Sequence, residues 1–294
     1  MKPVGLLGAG TMGAAAGGKI LKSGRALVVF DVSPKAKENA RVMGAGVTAT
    51  PADVARQSDV VIMSLPGPKE VELCVIGQDG LLSASHPGLV IVDMSTVDPG
   101  VTRRMAGMAL KTAVGYLDAP ILGRPVAVGS WALPVGGRKE DLERCRPVLE
   151  LFAAKIFHIG ESGSGNKVKL LNQLMFGAIN AMTAEMMAIA DKIGISPKVL
   201  FETIASSQAA TVSGLFKELG GRIAAENYDS PTFTVNLLIK DVRLAVEMAM
   251  AADAPPLLGR TVELINETAR AQGFGDSDTS IMWKSIRRGW KEEA

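Results

Sequence analysis

Cysteine, histidine and aromatic residues are scarce in this chain, and each scarcity excludes a class of protein. The two cysteines, Cys74 and Cys145, are too few for a disulfide framework or a zinc cluster. We expect them to be inert core residues of a protein from a reducing compartment. The two histidines, His86 and His158, have no clustered acids near them, which predicts that there is no metal site.

Excess charge and long apolar runs are also missing. Lys plus Arg number 32 and Asp plus Glu 30, a net charge of +2, so no basic stripe suggests a nucleic-acid partner. The richest apolar stretch, residues 168–193, still contains charged side chains, which argues against a membrane span. The N-terminal apolar run leads into a glycine motif and not into a signal-peptide cleavage site. We therefore expect a cytoplasmic protein.

Apolar residues, at 47% of a 294-residue chain, suffice for a large core, and their pattern predicts two domains. In the first half, short continuous apolar runs alternate with amphipathic stretches, as in a parallel sheet covered on both faces. This half reads as a doubly wound α/β domain. The predicted strands are 4–7, 26–30, 60–65, 89–94, 115–119, 132–135 and 155–159, and the predicted helices are 12–22, 34–43 and 140–152.

The second half has no convincing strand after residue 165 and is predicted to be all-helical. Ser196 and Pro197 have the residue types of a helix start, with a capping serine and proline in the first turn. We place the boundary in the glycine-rich turn 160–165, which gives domains 1–162 and 163–294. The predicted helices of this half are 168–193, 196–206, 238–252 and 256–272.

A glycine motif of the form G-x-G-x-x-G lies between the first predicted strand and the first predicted helix. In this setting the first glycine permits a tight turn, the second lets a pyrophosphate approach the backbone, and the third lets helix and strand pack closely. The helix N-terminus also favours negative charge. The motif predicts a dinucleotide site made by Gly8, Ala9, Gly10, Thr11, Met12 and Gly13.

Asp31 ends the second predicted strand, near the position of the carboxylate that binds the adenosine ribose in such domains. A carboxylate there repels a 2′-phosphate, so we favour NAD over NADP as cofactor. Lys35 and Lys37 follow closely and are the observation that favours NADP, unless they are solvated lysines on a helix. Two further segments lie at the same edge of the sheet, residues 64–67 after one strand and residues 93–96 at the end of another. They either border the cofactor or form ordinary turns.

Taken together, five ordered motifs resemble the β-hydroxyacid dehydrogenases, typified by 3-hydroxyisobutyrate dehydrogenase and the tartronate and succinic semialdehyde reductases. The resemblance covers nearly the whole chain and implies a Rossmann domain followed by a helical domain of the 6-phosphogluconate dehydrogenase type. The motifs are GAGTMG at 8–13, DMSTVDP at 93–99, DAP at 118–120, GSG at 163–165 with Lys169 and Asn172, and KDVRLA at 240–245.

The resemblance also implies roles for individual residues. Leu65, Pro66 and Val71 would lie along the cofactor. Ser95 and Thr96 would border the nicotinamide and its ribose, with Ser95 on the substrate side. Lys240 would approach the cofactor, and Asp241 would hold that region in place.

Lys169 matches the family's lysine, the proposed general acid in carbonyl reduction. An ammonium group there would stabilise the charge that develops on the carbonyl oxygen and donate its proton. Without the family motif, a solvated helix lysine is the simpler interpretation. Asn172 and Gln173 fall where the family commonly has a pair of asparagines, and one of them would orient the substrate.

The substrate loop departs from the family pattern. Leu122 replaces the serine that commonly meets the substrate carboxylate, and Arg124 replaces a glycine after Gly123. Either the Arg124 guanidinium substitutes for the lost donor, or the pocket has become apolar, with Leu122, Trp131 and Met175 as walls. A third interpretation makes Arg124 a surface residue.

The sequence therefore predicts an NAD(P)-dependent oxidoreductase that interconverts a small semialdehyde or ketone and its hydroxy acid. One alternative is a reductase of an uncharged carbonyl or an imine. Another is a cofactor-binding scaffold without catalysis, against which Lys169 argues. The resemblance further implies a homodimer or a homotetramer.

Overall fold

A computed structural model describes residues 2–228 and 230–289 of the chain. The fold consists of two compact units, Met1–Lys169 and Leu170–Ala294. The first carries all the strands of the sheet, and the second is built from helices.

The first unit contains an eight-stranded sheet in the order β3-β2-β1-β4-β5-β6-β7-β8. Neighbouring strands are parallel except for β6 and β7, which are antiparallel. The predicted doubly wound α/β fold is confirmed. The strands are β1 Val4–Leu7, β2 Leu27–Phe30, β3 Gly46–Val47, β4 Val60–Met63, β5 Val90–Asp93, β6 Gly115–Asp118, β7 Trp131–Gly136 and β8 Ala153–Gly160.

Six helices precede the glycine turn. Sequence reasoning found three of these, and missed β3, α3, α4 and α5. The predicted helix 140–152 ends earlier, at Leu149, and Phe152 enters the core instead. The helices are α1 Thr11–Lys22, α2 Pro34–Val42, α3 Pro51–Gln57, α4 Pro68–Ile76, α5 Pro99–Lys111 and α6 Lys139–Leu149.

The central strands are buried on both faces, which explains why they read as continuous apolar runs. Along β1 and β4, alternate residues enter two different apolar clusters. Leu6 and Ile62 belong to one cluster, and Leu7 and Met63 to the other. Strand side chains point alternately to opposite faces, so these clusters are the two layers between sheet and helices.

Strand β1 lies between β2 and β4, so the strand order reverses beside it. In open parallel sheets, ligands bind outside the carboxyl ends of the strands at such a reversal. The segments that follow β1 and β4 are therefore the expected ligand-binding segments of the first unit.

The long helix α7, Ser164–Lys192, begins in the first unit and continues into the second. It starts four residues before the predicted helix at 168. The other helices are α8 Pro197–Ala205, α9 Gly214–Ala224, α10 Val235–Met250, α11 Leu257–Ala269 and α12 Met282–Gly289. Among the described residues, none of these helices is long and apolar enough to cross a membrane.

Candidate active site

The glycine motif forms a turn and a helix start at the carboxyl end of β1. Gly8 has φ +86°, and a Cβ there would lie 2.2 Å from the Ser64 carbonyl oxygen. A Cβ on Gly13 would lie 1.9 Å from the Gly8 carbonyl oxygen, so helix and turn need glycine at both positions. A Cβ on Gly10 would meet no atom within 4 Å, and α1 has no side-chain cap. This open, uncapped helix N-terminus fits a dinucleotide diphosphate.

Asp31 follows β2, and its half-buried carboxylate is held in a fixed position. The Ala9 N–H donates to one oxygen at 2.7 Å, and the Ser33 N–H donates to the other at 2.7 Å. The carboxylate thus lies against the glycine turn, as a ribose-binding residue would. Of the two lysines considered for a 2′-phosphate, Lys35 is exposed and Lys37 lies over the Phe30 ring, 5.7 Å from its centroid.

Two predicted cofactor segments, after β4 and after β5, are joined by a hydrogen bond. The Leu65 N–H donates to the Ser95 hydroxyl oxygen at 2.9 Å, and Ser95 is buried. Leu65 and Thr96 are half-buried, and Pro66 is exposed. Val71 has no exposed surface and lies in the apolar cluster against which Leu65 packs.

Lys169 lies in the second turn of α7 and is half-buried. Its Nζ donates to the Ile121 carbonyl oxygen at 2.8 Å. Ile121 belongs to the segment that follows β6, at the same edge of the sheet as the glycine turn. The structure therefore places the predicted acid/base lysine at the carboxyl ends of the strands.

Two buried residues around Lys169 were not given a role by sequence reasoning. The carboxylate of Asp118, the last residue of β6, accepts hydrogen bonds from the N–H groups of Gly163 at 2.8 Å and Asn166 at 2.9 Å. The Asn166 side chain accepts from the Val97 N–H at 3.2 Å and donates to Thr102 at 3.2 Å. Asp118 therefore caps α7, which explains the early start of this helix.

Asp118 has a second buried carboxylate beside it. Asp93 on β5 is its register partner, and both residues are fully buried. Asp93 accepts from the Ser95 N–H at 2.9 Å and from the Tyr116 hydroxyl at 2.8 Å. Burial raises the pKa of Asp118 to about 6, with Asp93 adding to the shift and the two backbone hydrogen bonds opposing it. Burial and Asp93 also raise the pKa of Tyr116 well above its usual value.

The altered substrate loop rests on a buried tryptophan. The Trp131 indole N–H donates to the Arg124 carbonyl oxygen at 2.8 Å, and a Cβ on Gly123 would lie 2.4 Å from the indole ring. Trp131 has no exposed surface, so it supports the loop from below and is not a pocket wall. Leu122 and Arg124 are both half-buried.

In the helical unit, four of the predicted residues form a polar chain. Lys240 pairs with the buried Asp241 at 2.7 Å, and Asp241 accepts from the Gln173 amide at 2.6 Å. The Gln173 oxygen in turn accepts from the Asn172 amide at 3.3 Å. Gln173 is buried and Asn172 is exposed, so of this amide pair Asn172 is open to a ligand.

The cysteines and histidines lie outside these groups. Burial raises the pKa of Cys74 to about 11 and that of Cys145 to about 12, so both thiols stay protonated near neutral pH. His86 contacts the carbonyl oxygens of Ala55 and Ser58, and His158 contacts that of Gly137. The described part of the chain contains no group of three or more side chains placed to hold a metal ion.

A Rossmann sheet with this glycine cradle, and a lysine fixed at the carboxyl ends of its strands, defines an NAD(P)-dependent oxidoreductase. Two family models match the chain. The one described as the NAD binding domain of 6-phosphogluconate dehydrogenase matches residues 3–160. The one described as the NAD-binding domain of NADP-dependent 3-hydroxyisobutyrate dehydrogenase matches residues 163–286.

Relatives over the full length agree with these models. A 3-hydroxyisobutyrate dehydrogenase of Pseudomonas aeruginosa is 34% identical, covering 96% of this chain and 97% of that protein. An NAD-dependent L-serine dehydrogenase of the same species is 31% identical, covering 97% of each. The crystal structure of a 3-hydroxyisobutyrate dehydrogenase from Salmonella typhimurium superposes with a TM-score of 0.90 at 27% identity, covering 97% of this chain and 99% of that one.

The chain belongs to the β-hydroxyacid dehydrogenase family, as its motifs predicted. It is an NAD(P)-dependent oxidoreductase that interconverts a hydroxy acid and the corresponding carbonyl compound. The comparisons do not favour the two alternatives, a reductase of uncharged carbonyls or imines and a scaffold without catalysis.

Proposed function

We propose that the substrates are 3-hydroxy acids of the form HOCH₂–CHR–COO⁻ and the aldehydes formed from them. The observation that carries this proposal is the chemistry shared by two relatives, which are named for 3-hydroxyisobutyrate and L-serine. Both compounds have a primary alcohol one carbon away from the carbon that bears the carboxylate, and they differ only in R. A bound nicotinamide cofactor supplies or accepts the hydride.

Lys169 is the acid/base residue in this proposal. In the reductive direction its Nζ donates a proton to the aldehyde oxygen as negative charge develops there. Its hydrogen bond to the Ile121 carbonyl supports this role, because it fixes the amine at a defined position. Asn172 orients the substrate with its exposed amide, and Gln173 holds Asn172 through the hydrogen bond between them.

The cofactor residues that we propose are those of the glycine turn with Asp31, Leu65, Pro66, Thr96 and Lys240. Ser95 acts by holding the Leu65 backbone, and Asp241 by its ion pair with Lys240. We propose NAD as the cofactor used. The fixed carboxylate of Asp31 supports this preference, since a 2′-phosphate next to it would be repelled. The name of the NAD-dependent relative agrees with it.

For the substrate carboxylate we propose Arg124, in a loop completed by Leu122 and Gly123. Leucine has no donor, whereas a guanidinium binds a carboxylate with two parallel hydrogen bonds. The support of the Arg124 backbone by the Trp131 indole favours this role, because it gives the loop a fixed base.

The helical unit is the part that we propose to form a homodimer or a homotetramer. Exposed apolar side chains on α7 follow helical spacing and lie on one face. They are Leu171, Met175, Met182 and Ile189, and the exposed Ile193 follows the helix directly. Two free, buried cysteines support a cytoplasmic location. The family-model matches at 3–160 and 163–286 support domains 1–162 and 163–294.

Initial rates of NADH and NADPH oxidation with three aldehydes test the proposed function. Methylmalonate and tartronate semialdehydes have the aldehyde and the carboxylate on one carbon, whereas succinic semialdehyde places them two carbons apart. We expect kcat/KM to favour the first two compounds and NADH, and we expect Lys169→Ala to lower kcat about 10²- to 10⁴-fold while NADH still binds. A preference for succinic semialdehyde would overturn the substrate class, and an active Lys169→Ala variant would overturn the assigned acid.

A further inference from the structure

We propose that Asp118 is a positioning residue for Lys169, acting through the N-terminus of helix α7. It does not touch the reacting atoms in this proposal. It sets where the helix begins, and so where the lysine amine lies. The proposal rests on the acid/base role given to Lys169 above.

One short segment of chain holds α7 at two places. Asp118, at the start of the segment, accepts the N–H groups of Gly163 and Asn166 in the first turn. Ile121, three residues later, accepts the Lys169 amine through its carbonyl oxygen. Since β6 ends at Asp118, both contacts attach α7 to the sheet that also carries the glycine turn. The amine is thereby fixed relative to the cofactor-binding strand ends.

Asp118 and the first turn of α7 pack so closely that the helix start has little room to move. A Cβ on Gly165 would lie 2.4 Å from the Pro134 carbonyl oxygen and 2.7 Å from the Asp118 carbonyl oxygen. A Cβ on Gly136 would lie 2.4 Å from a carboxylate oxygen of Asp118. The first turn of α7 is therefore in backbone contact with the end of β6, and any movement of it also moves Lys169.

A carboxylate is a costly choice for this cap. Burial and the neighbouring Asp93 disfavour its charge, whereas serine or asparagine caps helices at no such cost. A charged carboxylate gives stronger hydrogen bonds than a neutral cap, and here each of its oxygens takes one N–H. Side chains that lower the stability of the folded state in this way are common at functional sites. Asp118 combines this cost with a position three residues before Ile121, whose carbonyl oxygen accepts from Lys169.

Asp118→Asn tests the proposal, with methylmalonate semialdehyde and NADH as the substrates. The amide has nearly the shape of the carboxylate but can accept only one of the two N–H groups. Because general acid catalysis contributes about 10²- to 10⁴-fold, we expect partial misplacement to lower kcat about tenfold to hundredfold. The KM for NADH should stay within about twofold, since the glycine turn is untouched. The isotope effect with NADH deuterated at the transferred position should rise, because hydride transfer becomes more rate-limiting.

Asp141→Asn is the matched control, because Asp141 is another buried aspartate beside the opposite end of β6. It should leave kcat and the isotope effect unchanged within about twofold. If Asp118→Asn does not fold, as judged by circular dichroism, the Asp118→Ser variant takes its place in every assay. Serine keeps one hydrogen-bond acceptor at this position. A kcat and an isotope effect like those of the wild type in the folded variant would overturn the proposal.

The double variant with Lys169→Ala separates this proposal from the function on which it rests. If Asp118 acts through Lys169, Asp118→Asn should cause no further loss of kcat/KM in the Lys169→Ala background. Losses that multiply would show an independent role and overturn the proposal while leaving Lys169 as the acid. Full activity of Lys169→Ala alone would overturn both.

Discussion

The Gln173 amide nitrogen donates to a buried carboxylate oxygen of Asp241 at 2.6 Å. This contact fixes which end of the amide is the donor, so the Gln173 oxygen faces Asn172 and accepts from it. A glutamine thus stands at the second position of the amide pair and holds the Asn172 side chain. It acts from the buried side of α7, one residue away from the exposed amide.

Gln173→Glu should destabilise the protein strongly. A second carboxylate would face Asp241 without solvent, and we expect the free energy of unfolding at pH 8 to fall by about 2–4 kcal/mol. Gln208→Glu, the same change at an exposed position of the same unit, should alter it by less than about 0.5 kcal/mol. Urea unfolding measures both. Equal effects would mean that the Gln173–Asp241 contact adds no stability.

Arg124→Ala should raise KM for methylmalonate semialdehyde about tenfold or more, because a charged donor to the substrate carboxylate is lost. Arg146→Ala removes a half-buried arginine paired with Glu143 on α6 and should leave KM unchanged. Adding Leu122→Ser to Arg124→Ala should recover part of the loss by restoring a hydroxyl donor. Steady-state kinetics decides the matter, and an unchanged KM in Arg124→Ala would exclude this arginine as the carboxylate partner.

Asp31→Asn should weaken the discrimination between NADH and NADPH. The amide keeps the shape of the side chain but removes the charge that repels a 2′-phosphate, so the ratio of the two kcat/KM values should shift toward NADPH by about tenfold. Asp59→Asn, at an exposed aspartate beside Lys2, is the control and should not change the ratio. If the ratio is the same in Asp31→Asn and in the wild type, the cofactor preference has another source.

The stability difference between the wild type and Asp118→Asn should depend on pH. The folded pKa of Asp118, about 6, lies above its ordinary value of 3.8, so the folded protein holds this proton more tightly than the unfolded chain. Stability from this group is therefore fully present below pH 3.8 and is lost as the pH rises through 6. Relative to the variant, the wild type should lose roughly 2–3 kcal/mol of unfolding free energy between pH 4 and pH 7.

Thermal unfolding across this pH range measures the difference, and a constant difference would contradict the raised pKa. The titratable groups around Asp118 include Tyr116 on β6 itself, whose pKa Asp118 helps to raise. Asp93 on β5 adds to the shift, Lys169 lies on α7, and Asp141 on α6 lies beside Gly115. Strand β7 carries no titratable side chain.

Helix starts show how far local sequence information reaches in this fold. Thr50, Gly67 and Asp98 each precede a proline that opens a helix, as Ser33 and Ser196 do. Sequence reasoning used this pattern at Ser196 but overlooked it at the other three positions, and so missed α3, α4 and α5. At Thr50 a complete capping box was present. These helices were predictable from residues within one turn of their start.

The cap of α7 was not predictable in the same way. Asp118 lies 45 residues before Gly163, and no local pattern indicates that the end of one strand will accept the first N–H groups of a distant helix. The two-residue strand β3 was equally hidden, because pairing with β2 alone defines it. Continuous apolar runs predicted the sheet, and the Gly-x-Gly-x-x-Gly motif predicted the dinucleotide site. The position of Lys169 depends instead on contacts between residues that are distant in sequence.

Trp131 lies beneath the substrate loop, so its fluorescence can report on changes in that loop. The indole is fully buried against Phe152, and its N–H donates to the Arg124 carbonyl. Indole emission responds to this hydrogen bond and to the polarity around the ring. A substrate acid that draws the Arg124 backbone away from the tryptophan will change the emission without any added label. With Trp283 and Trp290 replaced by phenylalanine, stopped-flow fluorescence can therefore time the response of this loop to a carboxylate separately from the absorbance change of hydride transfer.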